Sequence, residues 1–300
     1  MSEPKLNYLP CPDSGAGHRM AYWSWGAVDA SHVVVCVHGL SRQGRDFDTL
    51  AQALVARSDH PLRVICPDVV GRGHSDWLAD PMAYQMPTYA ADMLSLLGHL
   101  VPQTQTLDWV GTSMGGLIGM AVFGQTQFPL PVPVRRLVLN DVGPSIQWEA
   151  LARIGAYLGR SVQFDSLQQA ADAMWAISTS FGPHTPEHWL ALSRHMVKPV
   201  PGSAHAVTLH YDPAIAVPFG AVTQESAAQG EAMLWHLYDG ITAQTLLLRG
   251  AQSDLLSPQT AQQMTQRGPK ARLVEFSGVG HAPTLIATDQ VEAVTGFLLG

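Results

Sequence analysis

The stretch Trp109–Leu117 (WVGTSMGGL) decides the fold, because an apolar run ends there in the pattern G-x-S-x-G and continues directly into a helix-like segment. This is the pattern of a nucleophile elbow, a sharp strand-to-helix turn that raises a serine side chain above the sheet. We expect Gly111 and Gly115 to be required, because such a turn is too crowded for a Cβ atom at either position. The helix N-terminus beside Ser113 would favour developing negative charge.

Apolar runs alternate with helix-like segments on both sides of this elbow. The predicted strands span residues 20–25, 32–38, 62–67, 106–111, 136–140, 245–249 and 272–276. The predicted helices span residues 47–57, 89–100, 114–125, 258–266 and 289–299. This alternation is typical of a mostly parallel sheet with helices on both faces, so the predicted fold class is α/β.

The alternation stops after Val142 and resumes near Ile241. The segment between them has helical patches, several prolines and four of the eight tryptophans. It is either a helical subdomain with a small core of its own or a cap over a ligand pocket, and both can hold together. We therefore predict a core domain of residues 1–141 and 241–300, with a mainly helical cap of residues 142–240 inserted in it.

Composition excludes several classes of protein. The chain has 17 Lys and Arg against 24 Asp and Glu, a formal charge of −7, and the basic residues do not cluster, so nucleic acid is not an expected partner. No apolar run approaches the roughly 18 residues of a membrane span, and residues 1–17 lack the apolar segment of a signal peptide. We expect a cytoplasmic protein that does not bind a membrane.

Metal and cofactor chemistry is not expected either. Cys36 and Cys66 lie in apolar runs that read as buried strands, where free cysteine acts as a small hydrophobic residue. The three cysteines do not have metal-ligand spacing, and the histidines of the predicted cap show no repeated ligand pattern. We therefore predict neither a cofactor nor a metal site.

A serine nucleophile needs a basic side chain, which in turn is oriented by a carboxylate. In this architecture the chain order is serine, then acid, then histidine. Asp254 and His281 each follow a predicted strand in that order, at the sheet edge where α/β proteins place their sites. Asp141, directly after the strand before, is the alternative acid. The run Val37–Leu40 (VHGL) ends the first strong strand and can supply an oxyanion-hole N–H.

These motifs together resemble the α/β-hydrolase superfamily, from about residue 20 to the end of the chain. The resemblance rests on His38-Gly39, the turn Asp68–Ser75 (DVVGRGHS), the elbow at Ser113, and the acid and histidine that follow it. It implies an eight-stranded, mostly parallel sheet with a cap inserted between the family's sixth and seventh strands.

The resemblance also implies roles for individual residues. Ser113 would be the nucleophile, His281 the general base and then acid, and Asp254 the residue that orients the imidazole. The backbone N–H groups of Leu40 and Met114 would form the oxyanion hole. Some relatives place the acid at the position of Asp141, so that alternative stays open.

Substrate contacts are harder to assign from sequence. Arg42 and Arg45 follow the oxyanion loop, where they either solvate a helix start or pair with a substrate carboxylate. Trp148 and Trp175 of the predicted cap are candidate pocket residues. Asp68 and Arg72 are expected to pair and brace their loop rather than touch substrate.

The resulting prediction is an esterase that cleaves a small carboxylic ester through an acyl-enzyme. A serine at the elbow excludes relatives that use aspartate there. Carbon–carbon bond hydrolases, lactonases and cofactor-free perhydrolases share the same three residues and remain alternatives, as does a small-molecule receptor with slow turnover. The expected partner is therefore a small-molecule ester, and no oligomeric state is predicted.

Overall fold

The computed structural model describes residues 3–13, 15–125, 130 and 132–300. The first part of the chain begins with three strands and then alternates helices and strands up to the end of the sixth strand. Its elements are β1 (Lys5–Cys11), β2 (His18–Gly26), β3 (His32–Val37), α1 (Asp48–Arg57), β4 (Leu62–Pro67), α2 (Met86–Leu100), β5 (Thr106–Thr112), α3 (Met114–Phe123) and β6 (Val134–Asn140).

The next segment holds mostly helices, and the final part returns to alternation. The middle elements are α4 (Trp148–Tyr157), β7 (Gln163–Phe164), α5 (Leu167–Ser178), α6 (Pro186–Arg194), β8 (Val197–Pro199), β9 (Val207–Leu209), α7 (Ala216–Gly220) and α8 (Gln224–Asp239). The last elements are β10 (Gln244–Gly250), α9 (Pro258–Met264), β11 (Arg272–Phe276) and α10 (Thr288–Leu299).

Within the described residues, eight strands form one sheet in the order β1-β2-β4-β3-β5-β6-β10-β11. The second strand, β2, runs antiparallel to β1 and β4, and the remaining pairs are parallel. The predicted mostly parallel eight-stranded α/β-hydrolase sheet is confirmed. Because β3, β5, β6, β10 and β11 point the same way, the loops that follow them meet at one edge.

Alternating side chains of the central strands fill a separate core on each face of the sheet. On β3, Val33, Val35 and Val37 pack in the core that includes α2 and α3. Val34 and Cys36 pack on the opposite face with α1 and α10. Both Cys36 and Cys66 are fully buried free thiols, as predicted for small hydrophobic residues.

Two features of the fold were not predicted. The edge strand β1 has mixed polarity and contains a proline, so it lacks the apolar signal of the central strands. A small antiparallel sheet of β7, β9 and β8 lies in the middle segment, where strands of two or three residues leave no readable pattern. Across the described residues, no helix combines the length and apolar character that crossing a membrane would need.

Candidate active site

Ser113 lies between β5 and α3 in a turn that only small neighbours allow. Its φ of 51° is uncommon for a residue other than glycine, and such backbone strain is concentrated at functional sites. A Cβ atom on Gly115 would lie 2.0 Å from the Val37 carbonyl oxygen, and one on Gly111 would lie 2.4 Å from the Gly115 carbonyl oxygen. The predicted need for both glycines is therefore confirmed.

The imidazole of His281 bridges the serine and a buried carboxylate. Its Nε2 lies 2.9 Å from Ser113 Oγ, and its Nδ1 lies 2.7 Å from Asp141 Oδ2. A carboxylate only accepts hydrogen bonds, so Nδ1–H donates to Asp141 and leaves Nε2 of the neutral ring to accept the serine proton. The arrangement can take a proton from Ser113 while the resulting imidazolium is stabilised by Asp141.

The protein holds Asp141 with hydrogen bonds from the next strand and its loop. Asp141 directly follows β6, has a φ of 55° and is fully buried. Its Oδ1 accepts the Gly250 N–H at 2.9 Å, and its Oδ2 accepts the Ser253 hydroxyl at 2.6 Å in addition to His281. These bonds fix the orientation of the carboxylate beside the imidazole.

The expectation that Asp254 contacts His281 is wrong. Asp254 lies four residues beyond the end of β10, and its half-exposed carboxylate pairs with Arg153 of α4 at 2.8 Å. The loop instead turns Ser253 inward to bond Asp141. The acid that contacts His281 is Asp141, the alternative that sequence analysis left open.

Residues that sequence reasoning missed hold the His281 loop in place. Ser180, from the segment after α5, accepts the Gly280 N–H at 2.6 Å through its backbone oxygen. Its hydroxyl also donates to the His281 carbonyl at 3.1 Å. Asn140 Nδ2 donates to the Pro283 carbonyl at 2.8 Å. Asn140 could have been noticed as a polar residue at the end of an apolar strand, whereas nothing in the sequence marks Ser180.

The two predicted oxyanion donors lie beside Ser113. Met114 begins α3, so its N–H belongs to the first turn, where helical N–H groups lack a partner within the helix. Across the described residues, the Leu40 N–H donates to no protein acceptor. Buried Arg72 fixes this loop, because its Nε donates to the Leu40 carbonyl at 2.8 Å and one terminal nitrogen lies 3.8 Å from Met114 Sδ.

His38 shapes the same loop as a neutral side chain. It is fully buried, and burial lowers its pKa to about 3. Its Nε2 accepts the Val69 N–H at 2.9 Å, which places the proton on Nδ1, where it is donated to the Gly39 carbonyl at 2.7 Å. His38 therefore orients the loop between β3 and α1.

The expected pairing of Asp68 with Arg72 is wrong, since each braces the backbone separately. Asp68 accepts the N–H groups of Gly44 and His74, at 2.7 and 2.9 Å. Burial raises the pKa of Asp68 to about 6. Arg72 donates to the Leu40 and Val70 carbonyls and to the Tyr89 hydroxyl.

A cavity of about 940 Å³ extends from Ser113 between the sheet edge and the middle segment. Its wall includes Leu40 and Met114, together with side chains of α4, α7 and α8. This volume lies at the upper end of the roughly 300–1,000 Å³ of ligand pockets, and mostly apolar walls are usual for them. The cavity can hold an extended apolar or neutral chain beside Ser113.

Of the four predicted substrate contacts, only Trp148 lines this cavity. Trp175 packs against Trp189 with ring centroids 5.0 Å apart, inside the small core of the middle segment. Arg42 pairs with Asp46, and Arg45 pairs with Asp48. These three residues do not line the cavity, because core packing and ion pairing already engage them.

One buried cluster of metal-ligand residue types lies elsewhere among the described residues, where β1 and β2 meet α2. It contains Cys11, His18 and Asp92. His18 Nε2 lies 2.9 Å from Asp92 Oδ2, and its Nδ1 lies 3.5 Å from Asp13. This cluster contains a buried ion pair between His18 of β2 and Asp92 of α2, which links the β1–β2 hairpin to α2.

Several known proteins similar to this chain are named as hydrolases. A family profile described as the alpha/beta hydrolase family matches residues 34–294. A Cupriavidus necator protein named 3-hydroxybutyrate-oligomer hydrolase is 46% identical over 300 residues, covering 100% of this chain and 99% of that protein. The crystal structure of an alpha/beta hydrolase from Novosphingobium aromaticivorans is 35% identical, covers 100% of this chain and 99% of that one, and has a TM-score of 0.82.

Proposed function

Because the chain belongs to the α/β hydrolase family and is a carboxylesterase-like hydrolase, we propose that it cleaves carboxylic esters through an acyl-enzyme formed on Ser113. The observation that carries the proposal is the continuous chain of hydrogen bonds from Ser113 Oγ through His281 to Asp141. These three side chains come from loops after three different strands. Packing and stability alone would seldom bring a serine, a histidine and an aspartate from such loops into one hydrogen-bonded chain.

In the first half-reaction, Ser113 Oγ attacks the ester carbonyl carbon while His281 Nε2 accepts the hydroxyl proton. The tetrahedral intermediate collapses, the bond to the alcohol oxygen breaks, and the imidazolium returns the proton to the departing alcohol. The product is an acyl group esterified to Ser113. Asp141 stabilises the imidazolium through Nδ1–H and is not itself protonated.

In the second half-reaction, water replaces the alcohol. His281 Nε2 accepts a proton from water as its oxygen attacks the acyl carbonyl, and collapse of the intermediate breaks the bond to Ser113 Oγ. The proton returns to that oxygen and the carboxylic acid leaves. In both steps the N–H groups of Leu40 and Met114 would stabilise the oxyanion, a contribution typically worth about 10²–10³ in rate per donor.

For the substrate, we propose short oligomeric esters of 3-hydroxybutyrate. The similar Cupriavidus necator protein is named for hydrolysis of these oligomers, and the similarity spans the whole chain. The cavity supports the proposal, because its volume suits more than one repeating unit of such a chain.

Hydrolysis of p-nitrophenyl esters from acetate to decanoate, and of the 3-hydroxybutyrate dimer and trimer, tests this function. In Ser113→Ala we expect kcat to fall on the order of 10⁶-fold for every ester, because no nucleophile remains. Ser95→Ala is the matched control, since Ser95 bonds only a carbonyl of its own helix α2.

Labelling separates loss of the nucleophile from loss of the fold. A fluorophosphonate probe should add one mass increment to the wild type and to Ser95→Ala, and none to Ser113→Ala. Normal ester turnover by Ser113→Ala would contradict the acyl-enzyme. Turnover of p-nitrophenyl esters without cleavage of the dimer or trimer would contradict the proposed substrate alone.

A further inference from the structure

The cavity beside Ser113 has charges of one sign. Its described lining residues include two carboxylates, Glu149 and Glu231, and none of them is Lys, Arg or His. The rest of the wall is mostly apolar or neutral, and its apolar members include Leu117, Val142 and Phe219. An anion that entered this space would lose water and gain no cationic partner, which is unfavourable.

Glu231 is fixed in the wall by neutral donors. Its Oε2 accepts the Ser145 hydroxyl at 3.0 Å, and its Oε1 accepts the Trp235 indole N–H at 3.2 Å. Neither donor carries a positive charge, so they orient the carboxylate without neutralising it. A second carboxylate in the cavity would therefore face an uncompensated negative charge.

Three arginines on segments around the site, Arg42, Arg72 and Arg153, are engaged outside the cavity. Arg42 and Arg153 each hold a carboxylate, on Asp46 and Asp254 respectively. Buried Arg72 donates to carbonyl groups and to Tyr89. None of these three arginines lines the cavity, and each is already engaged by other groups.

The helix N-termini at the cavity also carry acids. The first turn of α4 contains Glu149, and the first turn of α8 contains Glu225. The partial positive charge of a helix N-terminus attracts anions, and an acid in the first turn already satisfies that attraction. The helix ends therefore do not compensate for the missing cations.

Resting on the proposed function, we propose that this cavity binds the acyl part of the ester and rejects acyl chains that end in a carboxylate. A linear hydroxyacid oligomer has a neutral hydroxyl end and a carboxylate end. Ester cleavage leaves the hydroxyl end on the acyl fragment and the carboxylate end on the departing alcohol. The oligomer therefore enters hydroxyl end first, with its carboxylate toward solvent, and Glu149 and Glu231 set this direction.

Two esters of equal acyl length test the proposal, namely p-nitrophenyl hexanoate and the mono-p-nitrophenyl ester of adipic acid. They differ by one carboxylate at the far end of the acyl chain. For the wild type we expect kcat/KM to be at least about 10-fold lower for the adipate, since a carboxylate in the cavity is desolvated beside like charges. The difference should shrink in high salt, which screens the repulsion.

Substitutions locate the source of the selectivity. Glu231→Gln and Glu149→Gln should each reduce the hexanoate-to-adipate ratio, and the double variant should reduce it further. The matched control is Glu292→Gln, which removes the same charge from exposed Glu292 on α10, a residue that does not line the cavity, and should leave the ratio unchanged. Equal reduction by all three variants would overturn the assignment to the cavity, because net charge alone would then explain the selectivity.

Chemically capped trimers test direction in the proposed substrate. A hemisuccinate at the hydroxyl end should slow cleavage at least about 10-fold, because it adds a desolvated carboxylate. A methyl ester at the carboxylate end should change the rate less than threefold.

The outcomes separate this inference from the proposed function. Equal hydrolysis of hexanoate and adipate would overturn the inference and leave the esterase intact. Failure to hydrolyse either ester or any trimer would overturn both.

Discussion

Two neighbouring parallel strands, β6 and β10, are each followed by an aspartate, and the structure uses the two carboxylates differently. Asp141 directly follows its strand, is fully buried and accepts hydrogen bonds from Gly250, Ser253 and His281. Asp254 lies four residues past its strand, is half-exposed and pairs with Arg153. A position after a parallel strand is therefore not sufficient to bring an aspartate to His281. The path of the first loop residues decides which side chain turns inward.

The largest effect that tests this comparison is expected from Asp141→Asn. An amide at this position can present its NH₂ group to Nδ1 and favour the imidazole tautomer that cannot accept the serine proton. A change of this kind lowers kcat by about 10⁴-fold in a serine protease. We expect a loss of about 10³–10⁴-fold in kcat for p-nitrophenyl hexanoate, with thermal unfolding as the check on the fold.

Fluorophosphonate labelling supplies a second readout for this variant, because labelling of Ser113 depends on activation by His281. The labelling rate should fall together with kcat. A folded Asp141→Asn protein that keeps more than a tenth of wild-type kcat would remove Asp141 from the mechanism.

A second buried histidine–carboxylate pair, His18 with Asp92, shows what the same two residue types do without a serine nearby. The hydrogen bond to Asp92 raises the pKa of His18, although burial opposes the shift, and Asp13 adds to it. Cys11 beside them stays neutral, because burial and Asp92 raise its pKa to about 12. This pair joins the first hairpin to α2 and is expected to affect stability rather than turnover.

We expect His18→Gln to lower the free energy of unfolding by about 3 kcal/mol at pH 6, since it leaves a buried carboxylate without its partner. The folded-state pKa of His18 is raised, so its stabilising charge is fully present below about pH 6.5 and is lost as pH rises through the raised pKa. Urea unfolding should therefore show a smaller difference from wild type at pH 9. A difference that grows with pH would contradict the ion pair.

The central strands can be predicted from the sequence because their apolar runs are continuous, as buried parallel strands require. On β3, for example, the run that includes Val33, Val34 and Val35 contacts a core on both faces. The edge strand β1 was not predicted, because Tyr8 is exposed and Pro10 interrupts the pattern. The same reasoning located Ser113 and His281, whose loops follow strands with strong signals.

The identity of the acid and of the pocket residues could not be settled in the same way. The inward turn of Asp141 depends on bonds to Gly250 and Ser253, more than a hundred residues away in the chain. An aromatic residue suits a core as well as a pocket, so its type does not predict which of the two it joins. Trp148 lines the cavity, whereas Trp175 packs against the small core of the middle segment. Such distinctions arise from tertiary contacts that a local pattern does not record.

The smallest expected effect, and the sharpest comparison with Asp141, comes from Asp254→Asn. Both substitutions remove one negative charge after neighbouring strands, but only Asp141 contacts His281. We expect Asp254→Asn to keep kcat within about twofold of wild type and to lower the free energy of unfolding by less than about 1 kcal/mol, because its ion pair with Arg153 is solvent-exposed. Arg153→Gln should match it in both measurements. If kcat instead fell about 10³-fold in Asp254→Asn but not in Arg153→Gln, Asp254 would be the catalytic acid and Asp141 a structural carboxylate.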